Sequence, residues 1–328
     1  MLSIVISQKQ KKYFNRILKF ALLLVSLTYI YFKLIRTDWT QLGLLFDDIR
    51  SNTEKQLLFL GVILLLPLNW GIEALKWQRL IGKLESISFV HALKSVLTGV
   101  SISIFTPNRA GEFAGKIFYL KKANKADALL RSMVGSLSQV LITFCLGLFA
   151  LLHFLRLKQF LVEYNSLLII LVSLICCLSI FAFFKIRHIA TTWNKWNFVQ
   201  FFIPYHKQQF DINSNEIFRI LCLSLLRFTV FTIQFYLLLL LFDFQPNLLN
   251  SLSLIVFYFF LISLIPTYAL SELGVRGSVA LLLFSDYGMD AAAIIASSLL
   301  LWLINLAIPA LIGSAFIYQL RFFKTDDE

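Results

Sequence analysis

The chain reads as an all-α polytopic membrane protein, and three observations carry that reading. Hydrophobic residues fill 59% of its 328 positions and charged residues only 15%, against roughly a quarter charged in a soluble domain. Six stretches stay apolar over the roughly 20 residues that a helix needs to cross a bilayer. Two more apolar stretches are interrupted midway by a polar segment containing Pro and Gly, which predicts six full transmembrane helices plus two re-entrant broken-helix hairpins.

The first crossing, 14–36, follows a basic flank of Lys9, Lys11, Lys12, Arg16 and Lys19. Such a flank also opens a signal peptide, but the TYIYFKLIRTDW that follows has no small-x-small cleavage site, so an uncleaved helix is expected. The second crossing is 56–80. The first interrupted stretch, 88–120, breaks from Pro107 to Gly111 within TPNRAGEFAGK. Crossings at 127–155, 165–184 and 216–243 follow. The second interrupted stretch, 247–286, breaks from Pro266 to Gly277 within IPTYALSELGVRG, and a last crossing at 290–320 closes the pattern. Proline removes a backbone donor and clashes with the preceding turn, while glycine lets the chain bend. The expected hairpin-break residues are therefore Pro107, Gly111, Gly115, Pro266, Gly274 and Gly277.

Charge orients this set. With both interrupted stretches re-entrant, both termini fall on the cytoplasmic side, as do most of the 30 Lys and Arg. Lys33, Arg36, Arg50, Lys55, Arg156 and Lys158 fall outside, and Arg109, Lys116, Arg227 and Arg276 fall within the membrane. The chain is then one integral membrane domain, 1–328, in two inverted-topology halves of approximately 14–155 and 165–320, each reading crossing, crossing, hairpin, crossing. Hairpins entering from opposite faces bring their tips together near the midplane, where secondary transporters of this layout place their substrate.

Both breaks carry an acid four residues before a base, Glu112 with Lys116 and Glu272 with Arg276. On a helix that spacing sets the two side chains on one face in the favourable orientation. Arg109 adds a charge at the first tip, and Arg227 lies about 11 residues into its crossing, where an unpartnered charge is costly. Guanidinium groups and a helix N-terminus attract an anion, and a lipid phosphate suits Arg best. The candidate substrate-binding residues are accordingly Arg109, Glu112, Lys116, Arg227, Glu272 and Arg276. Gln139 and Gln234 are similarly deep, and Ser101, Ser103, Thr106, Ser263 and Thr267 can satisfy loosened backbone. Glu73, Lys76 and Arg79 are expected to snorkel from a helix end to the cytoplasmic headgroups.

Other chemistries find little support. The net charge of +12 is accounted for by the positive-inside bias, so no nucleic-acid partner is expected. The aromatic and basic stretch 191–207 is expected to lie on the anionic cytoplasmic leaflet. Cys145, Cys176, Cys177 and Cys222 sit in apolar stretches without ligand spacing, and His91, His153, His188 and His206 are scattered, so no metal site is expected. There is no P-loop or GxGxxG, and no cofactor is implied. The adjacent Asp47 and Asp48 on a predicted outer loop give a third reading, an intramembrane metal-dependent transferase.

The stretches GVSISIFTPNRAGEFAGKIFYLKK, LIPTYALSELGVRGSVALLL and NLAIPALIGSAFIYQL resemble the flippase-like transmembrane region of lysylphosphatidylglycerol synthases. In the second, Thr267 to Ser271 stand where the family pattern has glycines, while Gly274 and Arg276 match it. The resemblance implies a membrane domain that moves an aminoacylated or other anionic lipid between leaflets. The chain ends at Glu328, just past the last predicted helix, so a stand-alone member lacking the synthase domain, and no enzyme activity, is expected. The expected function is a lipid flippase-like transporter of an anionic or aminoacylated phospholipid, or of a polyprenyl-linked lipid, in a bacterial cytoplasmic (inner) membrane. The alternative is a non-catalytic anchor or regulatory subunit whose partner is a lipid-modifying or glycosyl-transfer enzyme.

Overall fold

A computed structural model describes residues 39–104, 106, 109–160, 166–186, 212–244, 246–265 and 269–317. The predicted crossing 14–36, the stretch 191–207, and Pro107, Pro266 and Thr267 lie outside them. Polar side chains at the boundaries start the helices, because the first turn of a helix has backbone donors with no partner. Asn52, Ser88, Asn124, Asn213, Asn247 and Asp290 each accept such a donor, and Asn213 forms a reciprocal capping box with Glu216.

The elements are α1 (Trp39–Ser51), α2 (Thr53–Ile81), α3 (Phe89–Ser103), α4 (Gly111–Phe118), α5 (Lys125–Leu157), α6 (Ser166–Phe184) and α7 (Ser214–Leu241). They continue with α8 (Leu248–Leu264), α9 (Ala269–Phe284), α10 (Ala291–Trp302) and, after a π turn at Leu303–Ala307, α11 (Ile308–Ile317). The π turn ends two residues before Pro309, which has no N–H to return to the preceding turn. Among the described residues, five spans are long and apolar enough to cross a membrane: α2, α5, α6, α7 and the run from α10 to α11. The protein is an all-α multi-pass membrane protein. Helix α6 displays apolar side chains such as Leu167, Ile170, Leu174, Leu178 and Phe181 on its exposed surface, as a helix solvated by lipid does.

Two differences from the sequence expectations matter. The segment holding Asp47 and Asp48 is helical, not a loop, and Asp48 is bound to Lys55 at 2.5 Å. The second break is also shorter than expected. Helix α9 resumes at Ala269 and runs through Gly274 and Gly277, so neither glycine bends the chain. Gly111 opens α4 and Gly115 lies within it. Those two glycines serve close packing: a Cβ on Gly111 would sit 2.7 Å from the Ile102 carbonyl oxygen, and one on Gly115 would collide with the Gly99 backbone of α3.

Helices α2 and α7 run antiparallel through the centre. Lys83 past the end of α2 meets Glu216 at the start of α7 (3.0 Å), and Lys55 at the start of α2 meets Asp243 past the end of α7 (3.0 Å). Helix α3 therefore leaves from one end of this pair and α8 from the other. Each is followed by its own returning helix: α4 lies against α3 at Gly99 and Gly115, and Phe284 of α9 packs on Tyr258 of α8. Each hairpin is then held by a helix distant in sequence. Gly313 of α11 presses on the Leu97 carbonyl of α3, with Ser101 donating to the Ala310 carbonyl at 2.6 Å, and Gly147 of α5 presses on the Phe260 ring of α8.

At the first break Thr106 bridges the gap. Its hydroxyl donates to the Ser103 carbonyl at 3.1 Å and accepts from the Gly111 N–H at 2.7 Å, taking up backbone groups that the interruption frees. Arg109, between them, is left with φ of 58°, a left-handed conformation uncommon for a residue with a side chain. Outside the membrane, Glu85 in the connection from α2 to α3 receives the N–H groups of Lys121, Lys122 and Ala123, at 2.7–3.2 Å, which pins the start of α5 to the mouth of the first hairpin.

Gly115→Ala should lower the thermal midpoint in detergent by the equivalent of about 1–3 kcal/mol, since backbone must move to admit the methyl group. Gly274→Ala, with nothing within 4 Å, should leave the midpoint unchanged or raise it. Glu85 supplies a pH signature. Burial pushes its carboxyl up, but the three backbone donors outweigh that and hold it below its ordinary value of 4.5. Its stabilisation is therefore complete above about pH 4.5 and lost as pH falls through the depressed folded value. The gap between wild type and Glu85→Gln in thermal melts should be widest near neutrality and close on acidification.

Candidate functional site where the hairpin tips meet

All six predicted substrate-binding residues are engaged in ion pairs, and they fall into two groups. The smaller joins the hairpins: Arg109 from the first tip pairs with Glu272 of α9, and the same carboxylate receives Arg276 at 3.0 Å and 3.1 Å. Both arginines thus converge on one Glu272 oxygen. Arg109 keeps a side chain 41% exposed, while Arg276 is largely covered.

The larger group is centred on a residue that sequence reasoning assigned elsewhere. Glu73 of α2 receives Lys76 (2.8 Å), Lys116 (2.9 Å) and Arg227 (3.2 Å), and Lys116 also meets Glu112 at 2.6 Å. Glu73, Lys76 and Lys116 are 4%, 1% and 2% exposed. The expected snorkelling of Glu73 and Lys76 is therefore wrong, because α2 continues to Ile81 and both positions face α4 and α7, not its end. Arg79 alone of the three is exposed. A usable signal was present: Asn69, Glu73 and Lys76 recur at helical spacing on one face of an otherwise apolar segment.

A chain of neutral polar groups extends from this hub. Arg227 donates to Asn69 (3.0 Å), Asn69 to Asn305 (3.0 Å), Asn305 to Gln234 (2.8 Å), and Gln234 to the Val62 carbonyl (2.9 Å). Arg227 also lies over the rings of Trp70 and Phe231, which supply the attraction of a π face to a cation. Asn305 stands in the π turn, a helix distortion common at functional positions. On the other side of the hub, Ser138 and Ser224 share a hydrogen bond at 2.7 Å, and Gln139 donates to the Ser224 carbonyl.

Electrostatics follow from this inventory. The two groups hold five cations, Lys76, Lys116, Arg109, Arg227 and Arg276, against three carboxylates, Glu73, Glu112 and Glu272. Two positive charges are left over among the described residues of the paired groups. The first α4 donor is already taken by Thr106, and the Phe113 N–H by the Ala110 carbonyl, so side-chain cations carry more of the attraction than free backbone at this tip.

A model of the family described as the lysylphosphatidylglycerol synthase TM region matches residues 16–313. The chain belongs to that family. The match encloses both ion-pair groups and the polar chain through Asn305. No curated protein and no solved structure matches the chain. The family indicates a lipid-related role in the membrane, consistent with the helices described above.

Neutralising the hub tests how the charges depend on each other. Glu73→Gln leaves Lys76, Lys116 and Arg227 facing a neutral group and should cost about 3–5 kcal/mol in detergent melts. Adding Lys76→Met restores the original balance and should recover part of that loss; equal destabilisation in the single and double variants would contradict the hub.

Proposed function

We propose that the protein moves a lipid with an anionic headgroup between the leaflets of a bacterial cytoplasmic membrane, without making or breaking a covalent bond. The observation that carries this reading is the excess of cations over carboxylates in the two ion-pair groups, one of which joins two hairpins from opposite ends of the bundle through Arg109, Glu272 and Arg276. A headgroup phosphate crossing the membrane loses its hydration, and preplaced guanidinium and ammonium groups offset that loss while the tails stay in lipid. Arg109 is the most accessible of these cations, is held by a single carboxylate, and sits in a constrained backbone conformation. An arriving phosphate competes with Glu272 for it, which would uncouple the two tips and let one half rock against the other.

The finer features belong to the same reading. Both termini lie in the cytoplasm, the halves are related by inverted topology, and the substrate is an aminoacylated or plain anionic phospholipid or a polyprenyl phosphate. Family membership supports a lipid as the partner.

Purified protein in liposomes carrying a fluorescent phosphatidylglycerol in one leaflet gives the test. Wild type should exchange the label, and Arg109→Gln should slow exchange by at least about tenfold, the worth of one charge-assisted hydrogen bond, with little change in melting. Equal rates in the two proteins, or no exchange by wild type, would overturn the proposal.

A further inference from the structure

A second basic site lies away from the hairpin tips, at the end of the bundle where α2 closes and α5 and α7 begin. A cavity of about 150 Å³ opens there, lined by Arg79 and Leu80 of α2, Arg131 of α5, Ile212 ahead of α7, and Glu216, Arg219 and Ile220 of α7. That volume equals about five water molecules' share of liquid. Three arginines thus face one carboxylate. Glu216 is already engaged, by Lys83 at 3.0 Å and by the N–H of Asn213 at 3.1 Å. Arg131 is only 1% exposed and donates to the Leu80 carbonyl at 2.9 Å, capping the last turn of α2 and holding its guanidinium in the wall. Among the described residues, Arg79 and Arg219 form no ion pair, and both side chains are exposed.

We propose that this cavity binds a phosphate anion. Two guanidinium groups with no ion pair among the described residues, beside a fixed third one, match the planar, two-pronged recognition that arginine gives to phosphate. Leu80, Ile212 and Ile220 supply an apolar wall for an ester substituent. The position favours a lipid as the source. Lys83, Lys121, Lys122 and Lys125 surround the same end, which the distribution of basic residues assigns to the cytoplasmic leaflet. The site connects inward as well. Gly135 of α5 faces Leu80 and the Lys76 side chain at 2.8 Å and 3.8 Å from where its Cβ would be, so only one helical turn separates the cavity from the buried hub. The proposal concerns binding and does not depend on transport.

The full chain in a neutral maltoside detergent is titrated with short-chain phosphatidylglycerol, and separately with inorganic phosphate, following its melting temperature and direct binding. Arg79→Gln with Arg219→Gln, both at exposed positions, should preserve folding and weaken binding by at least about tenfold. Binding of phosphatidylglycerol alone identifies a lipid headgroup; equal binding of inorganic phosphate identifies a soluble phosphate ligand. The same loss of affinity from Arg79→Gln with Arg219→Gln should persist in an Arg109→Gln background, which separates this site from the hairpin tips. Wild-type affinity in the double variant, or binding of neither probe by wild type, would overturn the proposal.

Discussion

A carboxylate buried in a bundle of lipid-spanning helices cannot stay ionised alone, and Glu73 is the residue around which this protein solves that problem. Three cations from three helices reach it: Lys76 from its own, Lys116 from the first hairpin and Arg227 from α7. Each of those cations carries the complementary difficulty, since an ammonium or guanidinium at membrane depth costs at least a few kcal/mol without a partner. The hub therefore ties three elements together with a directional constraint that lipid, as apolar as the helix surfaces, does not provide. The positions of α2, α4 and α7 are specified by where the charges must meet.

Close backbone approach is the second requirement for this arrangement. Lys116 reaches Glu73 because α4 lies directly on α3, which needs glycine at 99 and 115. The first hairpin is itself wedged by Gly313 of α11, and the second by Gly147 of α5. Glycine at helix contacts is the usual packing device in membranes, where dispersion and hydrogen bonds replace the hydrophobic effect as the source of association. Ser101, Thr106 and Tyr119 then bond to backbone carbonyls or N–H groups in and around the first hairpin, taking up polar backbone that would otherwise face an apolar medium.

The charge left over is the feature on which we base the proposed lipid-transport role. A bundle that needed its ion pairs only for rigidity could balance them, but the paired groups of the hairpins and hub retain more cations than carboxylates. The cavity at the other level of the bundle repeats that imbalance with a different set of arginines. Together they describe a molecule whose interior and one rim both favour anions, with apolar surface alongside each. An amphipathic anion, polar at one end and oily at the other, is the guest we propose for it.

Much of this was written in one dimension. Apolar runs of membrane length, the Pro and Gly interruptions, the Asn and Ser caps and the paired acid and base at each tip are local patterns, and local patterns set helix positions because backbone hydrogen bonds in lipid must close within the helix. The pairing of partners was not local. That Glu272 joins Arg109 across the tips, that Glu73 faces Lys116 rather than the headgroups, and that Asn305 links Asn69 to Gln234 all follow from which helix faces touch. Gly274 and Gly277 make the same point in reverse, since a glycine bends a helix or packs it only as its neighbours require. Spacing along a chain decides which side chains share a face; only packing decides what that face meets.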